Sequence, residues 1–186
     1  LLRSAEGAAD PQYLSITAFA GDGAADSDNG NGDATNAGIN SPGQTWIDSA
    51  NMLYIAATGG NVVRRIDLSS NIISTFAGTG IGTSSGDTGA ATGATLDAPV
   101  GVWGNSNGII YISESGAAGC VVRQIDTSGI IDAYAGTAGS CGFSGDSAAA
   151  SSSELHTPMF LAGDASGDLY IADNANHVIR MVTFSS

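Results

Sequence analysis

Apolar clusters of four to six residues, β-branched or aromatic, recur along the chain between Gly, Asn, Asp and Ser. That pattern predicts short strands joined by turns, and no stretch carries helical periodicity. In the middle of the chain the strands fall at about 100–103, 108–113, 121–126 and 130–134. The clusters also repeat in register. The first copy carries Ile16, Phe19, Gly21, Gly32-Asp33, Pro42, Tyr54, Arg64 and Asp67. The second carries Ile73, Phe76, Gly78, Gly86-Asp87, Pro99, Tyr111, Arg123 and Asp126. The third carries Ile131, Tyr134, Gly136, Gly145-Asp146, Pro158, Tyr170 and Arg180. Proline precedes tyrosine by 12 residues each time, and the tyrosines stand 57 and then 59 residues apart. A period of this size means a solenoid, propeller or array, and four antiparallel strands per period make a propeller blade.

The elements at 73–78, Gly86-Asp87, Pro99, Tyr111-Ile112 and Val122-Arg123 resemble an NHL repeat. So do residues 168–174 followed by 178–180, and the resemblance runs from about residue 13 to 183. It implies a propeller scaffold. It implies no single activity, since members serve as binding platforms, structural modules and occasionally lyases. One mark departs from the pattern: the acid at Asp173 is Glu114 in the second copy and Ala57 in the first.

The expected fold is therefore all-β: three four-stranded NHL-like blades at about 42–77, 98–135 and 157–183. A lone strand at 13–20 precedes them, matching the fourth strand of a blade, and the last blade shows only three strands. The two ends are complementary. Three blades are too few to close a ring, which takes four to eight, and open strand edges must be satisfied somewhere. The chain is then a piece of a longer one, half of a two-copy ring, or a unit of a filament. Tyr13, Leu14, Ile16 and Phe19 are the expected assembly strand. The leading expectation is a non-catalytic structural protein that joins copies of itself. The alternative is a binding module recognising a glycan or protein on its loop face, with a propeller lyase a distant third.

Charge narrows the partners. The 15 Asp and 3 Glu face 5 Arg and no Lys, for a net charge of −13. Such a surface repels phosphate backbones and anionic lipid, so neither nucleic acid nor membrane insertion is expected. No apolar run is long enough to span a bilayer. The first residues, Leu1-Leu2-Arg3, read as those of a processed product or a fragment.

Candidate chemistry is sparse. The hairpin predicted over 120–135 brings Cys120 near Cys141, so a disulfide is expected, with two free buried thiols the alternative; a disulfide points to an extracellular compartment. Asp33, Asp87 and Asp146 recur in the linking loops, where a short carboxylate caps backbone N–H groups. Arg64, Arg123 and Arg180 share one position, which suits a structural task bonding loop carboxylates or carbonyls. Asp22, Asp26, Asp28 and Asp33 offer oxygen ligands to Ca²⁺, yet their spacing is not that of an EF-hand and no Glu supplies a bidentate end. A solvated acidic loop is favoured, and no cofactor is expected. Trp46 and Trp103 each follow the repeat proline by four residues, as packing between blades or as an aromatic platform. His156 and His177 are too few for a propeller zinc site, and no Gly-x-Ser-x-Gly elbow occurs. The tract 147–153 is the best O-glycosylation candidate on composition.

Overall fold

The computed structural model describes residues 15–24 and 31–183. They form three antiparallel sheets in chain order, with short 3-10 turns and no α-helix among them. In the first sheet, β1 (Gly32–Asp33), β2 (Pro42–Ile47), β3 (Met52–Ala57), β4 (Val62–Asp67) and β5 (Ile72–Ala77) lie in the order β1-β5-β4-β3-β2. The second sheet repeats it with β6 (Gly89–Ala90), β7 (Pro99–Gly104), β8 (Ile110–Glu114), β9 (Val121–Ile125) and β10 (Ile130–Ala135), in the order β6-β10-β9-β8-β7. The third sheet holds β11 (Pro158–Gly163), β12 (Leu169–Asp173) and β13 (Val178–Val182). These are three propeller blades. The two-residue strands β1 and β6 are additions: each comes from a linking loop and pairs with the fourth strand, so the first two blades have five strands rather than four.

Three structural devices repeat. The turn after each first strand is capped by Asp48, Asn105 or Asp164, whose side chain accepts from the N–H groups two and four residues on. This is the local Asx bonding that favours such residues in tight turns. Asp48 and Asp164 also accept from the hydroxyls of Tyr54 and Tyr170. The register of the fourth strand slips at its aromatic residue, between the Ala77 and Thr75 pairings and between the Ala135 and Ala133 pairings. The extra residue of a bulge is re-aimed, and here Phe76 and Tyr134 turn edge-on to Tyr54 and Tyr111, with centroids 4.9 and 4.8 Å apart. The left-handed position before each third strand is filled by Asn61, Cys120 and His177.

The blades pack through two apolar seams. One joins Tyr54, Val63 and Ala77 of the first blade to Leu96, Val102 and Ile112 of the second. The other joins Tyr111, Val122 and Ala135 to Leu155, Leu161 and Ile171. The inner strands approach so closely that side chains are excluded. A Cβ on Gly101 would meet the Met159 carbonyl and Ser113 Oγ, and one on Gly43 would lie 2.6 Å from the Val100 carbonyl. Gln44 crosses above Gly101 and grips the third blade, donating to the Leu161 carbonyl (2.8 Å) and accepting from its N–H (3.0 Å).

Cys120 and Cys141 form a disulfide, with Cα atoms 5.3 Å apart and a sequence separation of 21. It ties the start of β9 to the loop after β10. A closed loop of that size stabilises the fold by about 3 kcal/mol in the chain-entropy account. The Cys120→Ser/Cys141→Ser variant is expected to lose that much in urea unfolding, and a loss below about 1 kcal/mol would rule the staple out as a main support.

The open edge of the third blade

Each fourth strand ends on a glycine whose N–H donates to an alanine carbonyl in the loop leading to the next blade. Gly78 donates to Ala91 (3.0 Å) and Gly136 to Ala150 (2.9 Å). Gly21 makes the same bond to Ala34, at 2.8 Å. The end of the N-terminal segment is thus held just as the ends of β5 and β10 are held. The residues before it are not. Residues 15–19 have no strand partner among the described residues, Ile16 is 99% exposed and Phe19 48% exposed. Tyr13 and Leu14 lie outside the described residues.

The opposite end shows the converse. In the second blade β10 lies between β9 and β6, with Ile131 facing both Ile125 and Gly89. In the third blade β13 stands where β9 does, and residues 148–149 stand where β6 does. Between them lies an open groove of about 520 Å³, lined by Phe143, Ala148, Ala149, Ile171, Ile179 and Met181 among others. Ile179 and Met181 are exposed beside it. Tyr170 is half-buried, whereas Tyr54 and Tyr111 are buried under the rings of Phe76 and Tyr134.

The repeated arginine position forms ion pairs on the loop side of the second and third sheets. Arg123 is 1% exposed, donates to Glu114 (3.1 Å) and pairs with Asp87. Glu114 is itself buried and accepts from the Asp97 N–H at 2.8 Å. Burial pushes its carboxyl above the usual range, against the opposing pull of the Asp97 N–H and the Arg123 guanidinium. Arg180 pairs with Asp146 (2.8 Å) and Asp173 (3.6 Å), and donates to the carbonyls of Glu154 and Ser144. Asp173 accepts from the His156 N–H at 2.7 Å, as Glu114 does from Asp97. Arg64 is equally buried, with Ala57 where the later blades place the acid.

The loop aspartates do not all share one place. Register sets Gly32 and Asp33 beside Ile73 and Ile72, as Gly89 and Ala90 lie beside Ile131 and Ile130. Asp33 therefore corresponds to Ala90 and Ala149, three positions later than Asp87 and Asp146. A Gly-Asp pair is common turn chemistry and does not fix register. Asp33 caps a 3-10 turn, accepting from the Thr35 N–H (2.9 Å) and hydroxyl (2.7 Å). Asp22 accepts from the Ala24 N–H. Asp26 and Asp28 lie outside the described residues. Among the described residues no group of three or more His, Cys, Asp and Glu is placed to hold a metal.

The tryptophans lie between blades. Trp46 packs tilted against Tyr54 and Trp103 stacks on Tyr111, with centroids 5.7 and 5.8 Å apart. A Cβ on Gly104 would run into the Trp46 ring, and one on Gly163 into the Trp103 ring. Sequence reading marked Glu114 as a repeat position but did not single out Gln44, Ser113 or the Asp48, Asn105 and Asp164 caps as parts of the framework. The caps carried a signal, a short polar residue six positions before each repeat tyrosine. Gln44 carried none, because only its own copy has it.

No family model matches the chain. It is 36% identical over 98 residues to teneurin-4 of Homo sapiens and of Mus musculus, covering 47% of this chain and 4% of teneurin-4. Among solved structures, a protein of unknown function from Bacteroides thetaiotaomicron superposes with a TM-score of 0.65 at 19% identity, over 72% of this chain and 32% of that one. An auxiliary nutrient binding protein from Bacteroides ovatus gives 0.57 at 19% identity, over 77% and 38%. These likenesses establish the propeller fold. The chain spans about a third of the length of these two solved proteins and a small fraction of teneurin-4.

The Arg123–Glu114 pair yields a stability prediction. Arg123→Met leaves a buried carboxylate without its cation, and is expected to cost about 3–5 kcal/mol in urea unfolding. Glu114 also sets a pH dependence. Its pKa is higher folded than unfolded, so its contribution is most favourable below the unfolded value of about 4.5 and declines as pH rises through the folded one. Relative to Glu114→Gln, the native protein should lose stability over that rise, and a flat difference would contradict the assignment.

Proposed function

We propose that the chain is a non-catalytic, extracellular structural protein of the NHL-repeat kind that joins copies of itself by exchanging terminal strands. The carrying observation is the match between two open ends. The groove beside β13 has the surroundings that β5 and β10 fill in their own blades. Residues 16–20 repeat the Ile, aromatic and Ala spacing of those strands and end on the same glycine bond. Seated in the groove, the strand would gain main-chain hydrogen bonds from β13, with Ile16 and Phe19 setting register. Phe19 would cover Tyr170 as Phe76 covers Tyr54.

Other features support the same reading. A disulfide suits an oxidising compartment. The charge of −13 disfavours phosphate and anionic lipid partners. The two histidines serve no shared centre: His156 lends its backbone to Asp173, and His177 takes the left-handed turn before β13. The binding-module alternative draws on fold likeness to a nutrient binding protein, and a chain that remains monomeric would favour it.

Removing residues 1–20 tests the proposal. The shortened chain should stay folded and monomeric by sedimentation velocity at concentrations where the full chain assembles, and unchanged assembly would sink the reading. Because like charges repel, raising salt from about 0.05 to 0.3 M should strengthen assembly of the full chain.

A further inference from the structure

We infer that the neighbour completing the third blade is the first blade of a second copy, and that two copies close a six-bladed ring. The inference rests on the strand exchange proposed above and names its partner. Its evidence is a size pattern at the blade junctions. Within the chain, a large residue on one blade meets a glycine on the next: Trp46 over Gly104, then Trp103 over Gly163. The two outer faces reverse this. The third blade carries the small, exposed Ala162 at the tryptophan position. The first blade carries Ile47, 53% exposed, at the glycine position.

A blade with glycine there would leave a void over Ala162, and an incoming tryptophan would collide with Ile47. Small against large is the inverse of the internal pairing, and it conserves the volume of the junction, which packed cores require. Of the three blades described, the first alone has the large side chain that Ala162 accommodates. The first blade also carries the extended segment that the third blade's groove fits. Both features of one face thus match both features of the other.

The assembly closes because blade packing is rotational. The inner strands of the three blades share one centre, close enough for Gln44 to bond Leu161 across Gly101. A junction of the same kind between copies continues the turn about that centre. Two copies give six blades, within the four to eight that close, with both junctions equivalent by a twofold axis.

Sedimentation velocity and native mass measurement on four versions of residues 1–186 test this: native, Ala162→Trp, Ala162→Trp/Ile47→Gly, and Phe19→Asp. Both junction sites are exposed in the single chain, so each variant should fold, checked by circular dichroism. The native chain should show the mass of two copies. Ala162→Trp should weaken pairing at least about tenfold through overpacking, and adding Ile47→Gly should restore it. Phe19→Asp should abolish pairing. If Ala162→Trp pairs normally while Phe19→Asp does not, the junction is wrong and strand exchange stands. A ladder of higher masses overturns the ring in favour of an open filament. A native chain that is monomeric at every concentration overturns both, and points to further blades of a longer chain as the occupant.

Discussion

One backbone hydrogen bond organises the chain: the glycine ending a fourth strand donates to the alanine at the start of the next blade's 3-10 turn. That bond makes the strand belong to two blades at once. Its residues complete one sheet, and its end fixes where the next begins. The apolar seams follow, since Leu96 and Leu155 come five residues after those alanines and fall between the blades. The order of blades in space is therefore the order of repeats in sequence. The same bond at Gly21 holds the end of the first segment to the first blade.

Close approach near the centre adds a second constraint. Gly43 and Gly101 carry no side chain because a neighbouring carbonyl occupies the space, and Ser113 accepts from the Gly101 N–H while donating to the Met159 carbonyl. Farther out, where sheets diverge, tryptophan fills the gap over Gly104 and Gly163. At the loop side, the buried guanidinium of Arg123 and the half-buried one of Arg180 each gather loop carbonyls and carboxylates. Arg123 and Arg180 thus tie the linking loops to the third strands of their blades, beside the apolar anchors Leu96 and Leu155.

Much of this was legible in the residues. The strands of the second blade were placed within one or two residues, because apolar clusters and turn residues alternate without ambiguity there. The cysteine pairing followed from the hairpin between them. The two-residue strands at Gly32 and Gly89 were not legible, since two residues carry no alternation. The Asp33 register was misread for a related reason: a Gly-Asp dipeptide marks a turn without saying which turn. The aromatic bulge was hidden as well. Phe76 and Tyr134 stand out in sequence as one repeated aromatic position, but their inward aim depends on a slipped pairing that only the sheet reveals. Gln44 depends on three strands converging, which no local window contains.

The bond at Gly21 also has an entropic side. Ordering a free peptide on a strand edge costs about 1–2 kcal/mol per residue in lost backbone freedom, which is why short disordered tails make weak strand donors. The segment ending at Gly21 is no free tail. Its last residues are pinned by the donations of Gly21 to Ala34 and Asp22 to Ala37, so its direction of departure from the first blade is set before any contact forms. Part of the ordering cost is then met by folding of the chain itself, which favours the strand exchange proposed above over capture of an unanchored peptide of equal length.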